Sequence, residues 1–253
     1  MENILSIDCS AQKCSLALNA NGRNFVRESS EAQQHAKLLL PMLTALLNES
    51  AQELSSLDGI CLTVGPGSFT GIRIGVAAVQ GLAFGAGIPV YPFSSLEILA
   101  YSACLALANS SRRLDDALVV ASMDARMGER YRACYRSSEC DGRLLLKTVD
   151  APAISTDAEF SRLLHNLSHQ QRVLLAGDIF ASEDAARNAP WEYVEMQRPL
   201  AEAMLLLFSA IRETNGQREA VKDPAMLQPL YLRKQLTWKK REKIRQTDYS
   251  SDI

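Results

Sequence analysis

Across residues 60–81, ICLTVGPGSFTGIRIGVAAVQG, glycine, serine and threonine lie between a strand pattern and a helix pattern, an arrangement that could receive an anion. Ile60 to Val64 is a short apolar, partly β-branched run, which favours a buried strand. Gly65, Pro66 and Gly67 break that run. Ser68 and Thr70 can each offer a side-chain oxygen to the free amides of a first helical turn, so a helix is predicted to begin within a residue or two of Thr70. Free amides and the helix dipole both favour negative charge there. Two nucleotide templates nevertheless fail. The P-loop needs Gly-Lys-Ser/Thr five residues after its first glycine, and that offset holds Thr70, Gly71 and Ile72. The dinucleotide fingerprint needs a third glycine where Thr70 stands, and Gly71 comes one residue late. The favoured reading is a tight turn and close helix packing, with nucleotide binding as its competitor.

Other reactive side chains give weaker signals. His35 lies on an apolar helical stripe with no acid at helical spacing to orient it, so it reads as a packed or capping residue rather than a catalyst. The six cysteines are scattered, several inside apolar runs, and none forms a CxxC pair. Buried thiols in a reduced cytoplasmic setting are expected, not a disulfide frame or a zinc site.

The elements that must position these residues follow from periodicity and turn chemistry. Strands are predicted at Ile4 to Asp8, Cys14 to Asn19 and Arg23 to Glu28, the last pair joined at Asn21-Gly22. Within residues 31–50, His35, Leu38, Leu39, Met42, Leu43, Leu46 and Leu47 share one helical face. Ala36 and Leu40 widen that face beyond what a single sheet would cover, so part of it is expected to meet another chain. Pro41 should kink this helix or fall in its first turns. The helix after the glycine turn sets Ala77, Gly81 and Gly85 four residues apart, a small-residue strip that lets another backbone approach closely. Gly87 and Pro89 end it. Val90 to Phe93 is a short strand, Ser94 or Ser95 caps a helix through Ala108, and the polar stretch Asn109 to Asp116 carries the expected domain boundary.

The second half repeats the opening of the first. Ala117 to Met123 reads as a strand ending in Asp124, and Arg130 to Tyr135 as its returning partner. Asp124 lies 116 residues after Asp8, so strand, aspartate, turn and strand occur twice, as an internal duplication would leave them. A polar helix near 157–168, a strand at 172–176, a helix from 199 to 213 and an extended segment at 224–232 complete the chain. At 253 residues two domains are expected, here 1–108 and 109–235, followed by a tail at 236–253. Net charge is −2, but residues 233–245 hold seven basic residues and one acid. The chain opens directly on a strand with no leader signature. Residues 76–93 lack charge, yet Gln80 and the glycines and prolines there argue for a packed soluble segment over a membrane span.

Several of these residues together resemble the TsaB family, also called YeaZ. They are Ile-Asp-Cys-Ser at 7–10, His35 with Leu39-Leu40-Pro41, Gly-Pro-Gly-Ser-Phe-Thr-Gly-Ile-Arg-Ile-Gly at 65–75, Asp124-Ala125-Arg126, and Tyr231-Leu232-Arg233 with Trp238-Lys239-Lys240. The resemblance implies an α/β, actin-like (ASKHA) fold of two duplicated ribonuclease-H-like domains, with mixed sheets flanked by helices. It implies a non-catalytic bacterial subunit for tRNA N6-threonylcarbamoyladenosine synthesis that binds and activates the catalytic paralogue TsaD. TsaE, TsaC and tRNA enter through the complex, and the isolated chain is expected to form a homodimer. The expected partner-binding residues are His35, Leu39, Met42, Leu43, Leu46, Arg73, Gly75, Ala77 and Gly81. A charge at Leu39 or Met42 should abolish the heterodimer and spare the fold. The metal-binding His-x-x-x-His pair of TsaD aligns with Phe93 and Glu97 here, and phenylalanine cannot ligate a metal.

Residues expected to lie near a nucleotide are Asp8, Ser10, Asp124 and Arg126, but the hairpins following the two aspartates are bulky where actin-like kinases have glycines. No catalytic residue, metal or membrane contact is expected, and ATP or ADP would bind only in the assembled complex. The alternative reading is an actin-like small-molecule kinase or ATPase using Asp8, Arg126 and the glycine turn. A further reading gives residues 233–245 direct contact with tRNA phosphates.

Overall fold

The computed structural model describes residues 2–108, 114, 116–168, 172–177, 191–194 and 200–233. Ten strands among them form two sheets. The first sheet holds β1 (Ile4–Asp8), β2 (Ser15–Ala20), β3 (Arg23–Glu28), β4 (Gly59–Gly65) and β5 (Val90–Ser94) in the order β3-β2-β1-β4-β5. The second holds β6 (Leu118–Arg126), β7 (Glu129–Cys140), β8 (Arg143–Thr156), β9 (Val173–Gly177) and β10 (Glu192–Val194) in the order β10-β9-β6-β7-β8. Read from its other edge, the second sheet follows the path of the first. In both, two hairpins run antiparallel and the remaining strands join in parallel. Gly65 and Gly177 end equivalent strands with φ of 112° and 110°, a backbone conformation that excludes most side chains. The fold is a duplicated ribonuclease-H-like unit, the actin-like arrangement.

Burial explains why these residues form these layers. Every residue of β1 is buried, as a central strand covered on both faces must be. Leu5 and Ile7 face one way, where Leu39, Leu43 and Leu46 of α1 (His35–Ser50) and Ile72, Val76 and Val79 of α2 (Phe69–Ala86) cover the sheet. Ile4 faces the other way, into a core shared with the second sheet. That middle layer is built by α3 (Ser95–Ala108) and α5 (Leu200–Glu213), with Leu96, Leu99, Met204 and Phe208 packed against Val119, Ala121 and Tyr135. Because α3 is covered by both sheets, most of its residues are buried all round. The alternate residues Leu118 and Val120 of β6 point outward to Phe160 and Leu164 of α4 (Asp157–Ser168).

After α5 the chain returns to the first unit. Val221 bridges to Val90, Leu227 enters the outer core beneath α2, and the Leu230 N–H donates to the Val64 carbonyl at 2.8 Å. A division near residue 109 therefore separates the strands but not the cores, since α5 and this C-terminal strap complete the first unit. α1 runs from His35 to Ser50, within the expected 31–50, whereas the β6–β7 hairpin runs on to Cys140, past the expected Tyr135, and β8 and β10 have no counterpart among the expected strands. Pro41 lies inside α1, past its first turn. The tail at 236–253 lies outside the described residues.

Candidate interaction surface

The glycine turn is filled by the chain itself. The Ser68 hydroxyl caps α2 by accepting from the Gly71 N–H at 3.2 Å, while the Ser68 N–H donates to the Ser10 carbonyl at 2.8 Å. A Cβ on Gly67 would stand 2.4 Å from the Ser10 carbonyl oxygen, and one on Gly71 2.2 Å from that of Cys9. Gly75 lies against the Cys9 side chain. The turn after β1 thus sits against the N-terminus of α2, where an anion would have bound. Here the glycines serve close backbone approach.

Asp8 holds that turn in place. Its Oδ1 accepts from the Ser10 N–H at 3.1 Å, the Ser10 hydroxyl at 2.6 Å and the Thr63 hydroxyl at 2.5 Å. Burial pushes the Asp8 carboxyl above its ordinary range, and these hydrogen bonds offset part of the shift. His35 Nε2 lies 3.1 Å from the Ala11 carbonyl, so it ties the same turn to the start of α1.

The corresponding hairpin of the second unit is open. Asp124 Oδ1 accepts from the Arg126 N–H at 2.7 Å, and the Arg126 guanidinium, 85% exposed, lies 3.3 Å from Asp124 Oδ2. The structure thus brings Asp8 to Ser10 and Asp124 to Arg126.

The Phe93 and Glu97 positions are occupied by an arginine from the strap. Arg218 stacks on the Phe93 ring at 3.7 Å, pairs with Glu97 at 2.9 and 3.0 Å and donates to the Pro92 carbonyl. No cluster of three His, Cys, Asp or Glu residues suited to a metal ion occurs among the described residues. Burial pushes the Cys134 thiol up to about 11 and Cys104 to about 12, and raises Cys9 and Cys61 as well, so these thiols stay protonated and unreactive. Cys140 is exposed.

The expected partner-binding residues divide by helical phase. His35, Leu39, Leu43 and Leu46 are corrected to interior positions: Leu39 is 1% exposed, and the sheet with α2 covers this stripe completely. Gly75 is interior too. A charge at Leu39 would therefore break the core rather than spare the fold. Met42 is half-buried, with its sulfur 3.9 Å from that of Cys14.

The outward face carries Leu40, 53% exposed, on α1, and Arg73, Ala77, Gly81 and Phe84 on α2, with Phe84 81% exposed. Nothing lies within 4 Å of where a Cβ on Gly81 or Gly85 would stand. At the N-terminal end of α2, Arg73 packs 3.8 Å from the Phe69 ring centroid and 5.7 Å from that of Tyr231, and its Nε donates to the Tyr231 hydroxyl at 2.9 Å. Gln80 donates to the Leu227 carbonyl, which places the strap and its exposed Met226 along the same helix.

Phe84 falls three residues after Gly81 and seven after Ala77, so helical phase alone would have found it. Phe69 and Tyr231 stand 162 residues apart and carry no local signal. By length and composition α2 could cross a membrane, but its inner face is fixed in the core of the first unit.

A family model described as TsaD, tRNA N6-adenosine threonylcarbamoyltransferase, matches residues 28–210. The chain is 40% identical over 134 residues to the tRNA threonylcarbamoyladenosine biosynthesis protein TsaB of Haemophilus influenzae, covering 52% of this chain and 53% of that protein. It is 37% identical over 136 residues to the TsaB of Escherichia coli, covering 54% and 56%. The chain thus spans about half the length of the curated relatives it matches. Among solved structures, a Pseudomonas aeruginosa protein described as uncharacterized, with similarity to peptidase YEAZ, superposes with a TM-score of 0.74 at 30% identity over 92% of this chain and 100% of its own. YeaZ from the same organism gives 0.68 at 30% identity with the same coverage.

Proposed function

The chain belongs to the TsaB (YeaZ) family, and from that premise we propose that it is a non-catalytic subunit in tRNA threonylcarbamoyladenosine biosynthesis. In this reading it binds and activates a TsaD-type transferase. The observation that carries it is the outer face of α2, where Ala77, Gly81 and Gly85 leave the backbone open beside an exposed Phe84. An apolar face of this kind, with Arg73 as its single charge in 18 residues, favours a close-packed protein contact. In the isolated chain the same face would pair with a second copy. TsaE, TsaC and tRNA would join through the complex in the cytoplasm.

Asp8 is enclosed by Ser10 and Thr63, and the N-terminus of α2 by the Cys9-Ser10 turn, so any ATP or ADP would bind in the assembled complex rather than to this chain alone.

The test is co-elution with purified TsaD on size exclusion. Phe84→Glu and Gly81→Arg alter positions that touch little in the monomer, so both are expected to melt no lower than the wild type and to lose the complex. Retained co-elution by both variants would refute the assignment of this face.

A further inference from the structure

The β6–β7 hairpin carries three successive residues in the left-handed region, Arg126, Met127 and Gly128, with φ of 66°, 62° and 73°. That conformation is unfavourable for a residue with a Cβ. Apolar burial does not hold it in place, because Met127 is 69% exposed. Within the second unit, Asp124 Oδ1 accepts from the Arg126 N–H at 2.7 Å and the Gly128 carbonyl accepts from the Asp157 N–H at 3.1 Å; a further polar contact reaches the hairpin from the C-terminal strap. The Arg233 guanidinium donates to the Ala125 carbonyl at 2.9 Å and to that of Arg126 at 3.5 Å, lies 3.4 Å from the Met127 sulfur and pairs with the Glu129 carboxylate. Arg233 lies three residues past Leu230, which is fixed to β4, and two residues before it Tyr231 accepts from Arg73 of α2. Unfavourable backbone conformations persist only where their surroundings over-determine them.

We propose that Arg233 is a clasp holding the β6–β7 hairpin in its left-handed form, and that residues 231–233 transmit the state of the Arg73–Tyr231 contact on α2 to that hairpin. The hairpin is then a two-state element of the second unit governed from the α2 face of the first. Anything that displaces Tyr231 from Arg73 loosens Arg233 and lets the hairpin relax.

Hydrogen–deuterium exchange of the full chain tests both parts. In Arg233→Ala the amides of residues 126–130 are expected to exchange at least about tenfold faster than in the wild type, while those of β9 and α5 keep their rates. Glu129→Gln removes the ion pair from the hairpin side and is expected to accelerate the same amides, which serves if Arg233→Ala proves too unstable to measure. Arg73→Ala is expected to accelerate them about threefold through the strap. Wild-type exchange of the hairpin in Arg233→Ala, or in Glu129→Gln in its place, overturns the clasp. Wild-type exchange in Arg73→Ala overturns the transmission.

Discussion

Asp8 accepts three hydrogen bonds in a site from which water is excluded. Burial raises its folded pKa above the ordinary 3.8, so the folded chain retains this proton to higher pH than the unfolded chain does. The sign follows from linkage: stability contributed by Asp8 is greatest below its unfolded pKa and falls as pH rises toward the folded value. Asp8→Asn keeps an acceptor and removes the titration. Urea unfolding of both proteins across the acid range should show the wild type losing stability relative to Asp8→Asn as pH rises. Asp8→Ala leaves the Ser10 and Thr63 hydroxyls without their acceptor and is expected to cost about 1–3 kcal/mol at neutral pH. A wild-type stability in that variant would remove Asp8 from its role in holding the turn.

At the scale of the element, α2 uses glycine for two opposite purposes. On its inner face, Gly71 sits where a Cβ would stand 2.2 Å from a backbone oxygen that cannot rotate away. Gly71→Ala is therefore expected to destabilise the chain by about 2 kcal/mol or more, with the β1–β2 turn forced outward. On the outer face Gly81 touches nothing, and alanine is the better helix former there. Gly81→Ala should stabilise the isolated chain by about 0.5–1 kcal/mol, read from denaturant midpoints. Helical phase distinguishes these positions in principle, but the Gly-x-x-x-Gly spacing of 71, 75, 81 and 85 does not reveal which pair faces inward. The same ambiguity applied to α1, where the stripe of His35, Leu39, Leu43 and Leu46 was visible in the sequence and its covering partner was not.

At the scale of the molecule, two arginines pin the strap. Arg233 reaches the second unit, and Arg218 fixes the other end onto Phe93, Pro92 and Glu97 of the first. Both members of the Arg218–Glu97 pair are largely shielded from solvent, so removing one leaves the other short of its partner. Arg218→Met is expected to cost about 2 kcal/mol, and adding Glu97→Gln should recover part of that loss. Urea midpoints of the two single variants and the double variant give the coupling, and strict additivity would show that the pair does not hold the strap.

The local elements were largely legible because their causes are local. Asn21-Gly22 fixed a hairpin, Ser68 a helix start and Gly87 a helix end, and the two strand-end aspartates disclosed the duplication. β8 was not legible. Its sequence, RLLLKTVDAPAIST, has no two-residue alternation, and it is held by an irregular register with β7 that shifts around Cys134.

By itself the sequence determined the periodicities, the caps and turns, the repeated strand–aspartate–turn–strand pattern and the family resemblance. Tertiary structure alone decided which apolar stripes are covered, that the Cys9-Ser10 turn occupies the anion position at α2, and that the strap joins both units. The reason is physical: a turn or cap is set by neighbours in the chain, whereas burial and long-range pairing depend on surfaces that meet only when distant segments pack.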